Sequence, residues 1–231
     1  MNLLGIIGGI GPESTVDYYH QIIALYREQV TDGSYPAMVI NSIDSQKLIA
    51  LITKNAEEEI TELLLQEIER LKGAGATFGL LAANTPHMVF DRLQSRSAIP
   101  LISIVEATCA AVKSRGLVRV GLFGTRFTMQ GDFYPRVFAR EGVELIVPSP
   151  EEQDYIHDKY MNELFVGDFL PATRERLFEI GERLRSEAGI QGLILGGTEL
   201  PLILKDTTGR GMPFFDTTRI HAERAVARML E

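Results

Sequence analysis

The feature that most constrains this chain is a repeat. Gly5-Ile6-Ile7-Gly8 is matched by Gly121-Leu122-Phe123-Gly124, and Ala82-Ala83-Asn84-Thr85 by Gly196-Gly197-Thr198-Glu199 at nearly the same distance downstream. Around both copies, short apolar runs alternate with stretches of helical period. Strands are predicted over 3–8, 37–43, 78–83, 101–104, 118–123, 143–147 and 193–196. Helices are predicted over 12–30, from Asn55 to the Gly73/Gly75 pair, and over 105–115, 151–166, 172–187 and 217–230. Asn55 with Glu58 reads as a capping box, and Asp216 reads as the cap of the last helix. Strand–helix alternation of this kind specifies parallel sheets flanked by helices. The expected fold is α/β with two similar Rossmann-like lobes, 1–115 plus 212–231 and 116–211, hinged near Gly116. In open α/β sheets a ligand sits beyond the carboxyl ends of the strands, so each copy of the repeat offers one end to a ligand cleft between the lobes.

Composition removes several function classes. The net charge is −8 and the Lys and Arg residues form no runs, which argues against a nucleic-acid partner. No run of about 18 apolar residues exists to cross a membrane. The first residues lack a basic segment followed by a long apolar one, so a cytoplasmic protein is expected. Cys109 is the single cysteine, inside the helix 105–115 beside Ala110 and Ala111, and reads as a buried filler. His20, His87, His157 and His221 lack metal-ligand spacing, so no zinc site is expected.

Four loops follow predicted strands. Gly8-Gly9-Ile10-Gly11-Pro12-Glu13 lacks the third glycine of a dinucleotide fingerprint, and Glu13 disfavours a pyrophosphate. Glycines there still admit a small carboxylate to free N–H groups, and a tight turn without ligand is the alternative. Ala82-Ala83-Asn84-Thr85-Pro86-His87 places Asn and Thr, good partners for a carboxylate or amine, at a strand end; a helix cap is the alternative. Gly124-Thr125-Arg126-Phe127-Thr128 offers hydroxyls, with Arg126 either solvated or paired. Gly196-Gly197-Thr198-Glu199 offers close approach and a carboxylate that acts as acid or base, or as a loop anchor.

Taken together, these loops with Asp216-Thr217-Thr218-Arg219-Ile220-His221 resemble the cofactor-independent aspartate/glutamate racemase family, over essentially the whole chain. The resemblance implies pseudo-twofold lobes, an amino-acid-sized cleft, a homodimer, and neither pyridoxal phosphate nor metal. It implies substrate contacts from Ile10, Gly11, Asn84, Thr85, Thr125, Thr128 and Thr198, with Lys47 as a candidate for a distal carboxylate. Phe165 stands where some relatives place a cation, so a less polar substrate is also open. Family members pass the Cα proton between two opposed thiols. Here those positions hold Ala83 and Gly197, which carry no exchangeable side-chain proton. Glu199 and His87 are the remaining proton-transfer candidates. Three readings stay open: altered chemistry on a small amino acid or carboxylate, a non-catalytic amino-acid-binding protein, and an engineered inactive variant.

Overall fold

Two parallel sheets organise the computed structural model, which describes residues 2–204 and 211–231. One compact unit comprises Met1–Ile104 with Thr218–Glu231, and the other Val105–Thr217. In the first, β1 (Leu4–Gly8), β2 (Met38–Ser42), β3 (Phe78–Leu81) and β4 (Leu101–Ile102) pair in the order β2-β1-β3-β4. In the second, β5 (Arg119–Gly124), β6 (Glu144–Ile146), β7 (Leu193–Gly196) and β8 (Phe214–Asp216) pair in the order β6-β5-β7-β8. Every pairing is parallel. The repeat in the sequence is thus a repeat of topology, and the expected α/β class is what forms. Leu4–Gly8 is buried throughout, as a central parallel strand must be, whereas β2 lies at the sheet edge and is partly exposed.

The two glycines of each Gly-x-x-Gly segment have separate steric causes. A Cβ on Gly5 would lie 2.9 Å from Ala76 Cβ and 3.0 Å from Leu71 Cδ1, and one on Gly121 would lie 2.8 Å from Ile190 Cδ1. Both glycines let the end of a following helix close on the sheet. The fourth position instead accommodates a threonine. A Cβ on Gly8 would overlap Thr15, and one on Gly124 would lie 2.9 Å from Thr128 Cβ.

Helices cover these sheets through regular apolar faces. Helix α1 (Pro12–Gln29) starts with proline in its first turn and buries Tyr18, Ile22 and Leu25. A short α2 (Ser45–Thr53), unanticipated in the sequence, is capped by Asp44, which accepts from the Gln46 N–H at 2.9 Å. Helix α3 (Glu57–Gly73) buries Ile60, Leu64, Ile68 and Leu71, the face its periodicity specified. Full burial of such side chains contributes about 1.5–3 kcal/mol each. Asn55 does not cap it: the helix follows Ala56, and Asn55 adopts a left-handed φ of 53°. The chain completes the first unit with α4 (Phe90–Arg96) and enters the second along α5 (Ile104–Ser114).

The second unit adds α6 (Arg126–Gln130), α7 (Phe133–Arg140), α8 (Pro150–Asn162), α9 (Pro171–Ala188) and α10 (Leu200–Ile203). Of these, α6, α7 and α10 were not anticipated. The true capping box is at α8, where Ser149 and Glu152 bond each other's backbone N–H. The helix expected over 151–166 ends at Asn162, and a separate 3-10 turn covers Leu164–Val166. Asp216 ends β8, a strand the sequence pattern did not reveal, and α11 (Thr217–Leu230) follows at once. Its Ala222, Ala225, Val226 and Met229 join Leu4, Ile6, Tyr18, Ile22 and Leu25 in one core. Among the described residues, no helix is long and apolar enough to cross a membrane.

Candidate active site

In the first unit, the loops after β1 and β3 meet at the strand ends. The β1 loop is held by its own hydroxyls. Thr15 Oγ1 accepts from the Gly9 N–H at 2.8 Å, and Ser14 Oγ lies 2.8 Å from the Gly11 carbonyl and 3.3 Å from that of Ala82. Gly9 and Gly11 adopt φ of 80° and 96°, a region glycine enters without strain. A Cβ on Gly9 would also run into the Ile43 carbonyl. Ile10, Ala83 and Asn84 are buried, and Thr85 opens a 3-10 turn, Thr85–Val89. Lys47 is exposed on the first turn of α2, on a different loop from this cluster.

His87 lies beneath that turn, 1% exposed. Its Nε2 accepts from the Ile104 N–H at 3.2 Å, which leaves the proton on Nδ1 to be donated to the Ala83 carbonyl at 3.0 Å. The ring stacks on Phe90 and meets His221 edge to face at 6.0 Å. His221 is tied in the same manner. Its Nε2–H donates to the Ile102 carbonyl at 2.9 Å, and Nδ1 accepts the Tyr18 hydroxyl at 2.8 Å. Burial lowers both rings, His87 to about 3 and His221 to about 4. Both are neutral at pH 7. His87 spends both nitrogens on backbone, so its role is to fix the Ala83 strand end against Ile104.

In the second unit, β5 and β7 end side by side, with Gly124 opposite Gly196. Thr125 caps α6 and its Oγ1 lies 3.3 Å from that of Thr128. Thr128 is fully buried, its methyl set against the backbone of Gly124 and Gly196. Arg126 is paired outward with Asp154 at 2.8 Å, and its N–H donates to His157. Glu199, 1% exposed, receives two hydroxyl donors on Oε2: Thr198 at 2.9 Å, and the phenol of Tyr160 from α8. Tyr160 is 5% exposed, and burial together with the neighbouring Glu199 carboxylate raises its phenol well above the usual range. Phe165 is partly buried against the core of this unit and does not extend a polar group.

Tyr160 is the residue that sequence reasoning missed. It sits 39 positions from Glu199, on a helix whose own pattern marks it only as an apolar-face residue. Of the predicted residues, the first unit gathers Ile10, Gly11, Ala83, Asn84, Thr85 and His87, and the second gathers Thr125, Thr128, Gly197, Thr198 and Glu199. No group of His, Cys, Asp and Glu suited to a metal ion occurs among the described residues. Cys109 is buried on α5, where burial raises its thiol to about 11.

Comparison with known proteins agrees with this architecture. A structure of PH1733, an aspartate racemase homologue from Pyrococcus horikoshii OT3, superposes with a TM-score of 0.86 and 35% identity, covering all of both chains. A candidate Asp/Glu racemase from Yersinia pestis superposes at 0.90 with 31% identity, again over all of both chains. The broad specificity amino-acid racemase RacX of Bacillus subtilis (strain 168) is 28% identical over 148 residues, 62% of this chain and 63% of RacX. The match thus spans under two thirds of that relative. The Asp/Glu/Hydantoin racemase family profile matches residues 7–225, and the chain belongs to that family.

Proposed function

We propose that this protein acts on a small amino acid or carboxylate, without pyridoxal phosphate or metal, by a chemistry other than two-thiol racemization. Asn84, Thr85, Thr125, Thr128 and Thr198 are the proposed carboxylate contacts. Ala83 is not the group that moves a proton, and neither is Gly197, since neither side chain holds one.

The observation that carries the reading is the carboxylate–phenol pair of Glu199 and Tyr160 at the end of β7. A carboxylate held by two hydroxyl donors is a proton acceptor on one side of the substrate only. A single base removes and returns the Cα proton on the same face, so exchange with retention is expected rather than inversion. The test is incubation with a panel of L- and D-amino acids in deuterated water, read by proton NMR. Loss of the Cα signal without the opposite enantiomer supports the proposal. Absence of exchange and of new product across the panel defeats it.

The state of His87 favours a second reading, a non-catalytic amino-acid-binding protein. A proton-transfer group that is neutral and bonded on both nitrogens is idle. Thermal shift against the same panel tests binding alone, since a ligand stabilises by RT ln(1 + [L]/Kd). RacX and PH1733 point to amino acids as the substrate class. A cytoplasmic homodimer is the proposed working form, and light scattering on the purified chain checks the dimer.

A further inference from the structure

We propose that Tyr160 is the residue that determines what the β7 end presents, because its ring occupies the space that any side chain at position 197 would need. A Cβ on Gly197 would lie 3.0 Å from both Cζ and the hydroxyl oxygen of Tyr160, and closer still to Cε2. Contacts of that length are not tolerated, so either the ring moves or position 197 stays glycine. The ring is not free to swing. It belongs to the second unit's core with Phe123, Met129, Ile156 and Leu164, and its phenol is bonded to Glu199. Moving it exposes the Glu199 carboxylate to a lost hydrogen bond in a buried place, the costly direction of change.

Backbone conformation gives no competing reason for the glycine. Among the described residues, Gly9, Gly11 and seven other glycines have positive φ, and Gly197 is not among them. The three nearest atoms to a side chain at 197 all belong to Tyr160, and the two positions form one steric unit. Tyr160 also acts through Glu199 as a positioning residue: its hydrogen bond aims the carboxylate and favours the ionised form. The pair excludes a side-chain nucleophile at 197 and supplies a carboxylate–phenol group in its stead. The positioning half rests on the proposed function above; the steric half stands apart from it.

The full-length chain is compared as wild type, G197A, Y160L, Y160L/G197A and Y160F/G197A. Overpacking predicts that G197A lowers Tm by about 2–12 °C in the wild-type background. In Y160F, which keeps the ring, the loss persists; in Y160L it falls to within about 2 °C, a direct coupling. Should Y160L not fold, G197A alone still answers. Its displaced phenol is expected to add a tyrosine that ionises near the ordinary pH of about 10, visible by ultraviolet titration and absent from the wild type. An unchanged Tm and titration in G197A, or an equal loss in the Y160L background, overturns the proposal. For the positioning role, Y160F is expected to move the acid limb of the deuterium-exchange profile to higher pH, which a purely structural role would not do. Exchange in the wild type with an unmoved limb rejects positioning by Tyr160, whereas no exchange in the wild type rejects the proposed function and leaves the Tm coupling to decide the steric half.

Discussion

Acidification from pH 7 to pH 5 is expected to destabilise this protein through two histidines. His87 and His221 are buried and lowered by that burial from the ordinary 6.5 to about 3 and about 4. The fold therefore favours their neutral forms. Above pH 6.5 both states are neutral and the histidines impose no penalty. Below it the unfolded chain binds protons that the folded one refuses, so stability falls with pH until the folded values are reached. At pH 5 the gap from 6.5 corresponds to about 2 kcal/mol for each ring, or about 4 kcal/mol for the pair. That is a large share of the roughly 5–15 kcal/mol that holds a domain folded. His157, lowered mainly by burial, adds in the same direction. The chain has no tryptophan, so urea unfolding is followed by far-UV circular dichroism at both pH values. The H87Q/H221Q variant is the control, expected to lose most of the dependence. Equal urea midpoints at pH 7 and pH 5, or full pH dependence surviving in the double variant, would refute the assignment of these rings as neutral and backbone-bonded.

Three further outcomes follow from steric and capping contacts. Gly196→Ala places a Cβ 2.8 Å from the Phe123 carbonyl oxygen and 2.7 Å from Leu122 Cδ1, and backbone cannot yield as a side chain can. A loss of about 2–3 kcal/mol in urea unfolding is expected, and a wild-type midpoint would contradict the close approach of β5 and β7. Ser149→Ala removes one half of the α8 capping box and is expected to cost about 1 kcal/mol, read by the same assay, with no loss counting against the reciprocal bonds. Cys109, raised to about 11, is almost wholly protonated at pH 8. A thiol reagent is expected to label it slowly in the native chain and fully in urea, and rapid native labelling would show the thiol to be exposed.

Much of the fold was legible because its causes are local or repeated. The Gly-x-x-Gly segments mark β1 and β5, and each strand's burial makes its run apolar. The strand ends carrying Asn84, Thr85, Thr125, Thr128 and Thr198 followed from the same pattern. What escaped depends on distant partners or on competition between neighbouring signals. Ser149 and Glu152 are a plain capping pair, yet the helical pattern registers only from Glu151, past the cap itself. Asn55 has the right chemistry for a cap but sits one residue too early, its φ positive. Edge strand β8 is three residues long, too short for alternation to register. Tyr160 meets Glu199, and His87 meets His221, only after the sheets have formed, and no spacing in one sequence encodes such meetings.

The split course of the first unit bears on the order in which the chain acquires its structure. Its core is not complete with residues 1–104, because Leu4, Ile6 and Tyr18 share that core with Ala222, Val226 and Met229 of α11. The second unit is a single contiguous stretch, Val105–Thr217. During synthesis the unit begun first must wait, with apolar surface uncovered, while the unit begun second can close as soon as it emerges. Helix α11 is thus the closing step of the first unit, and truncation within it would leave that unit's core unfinished.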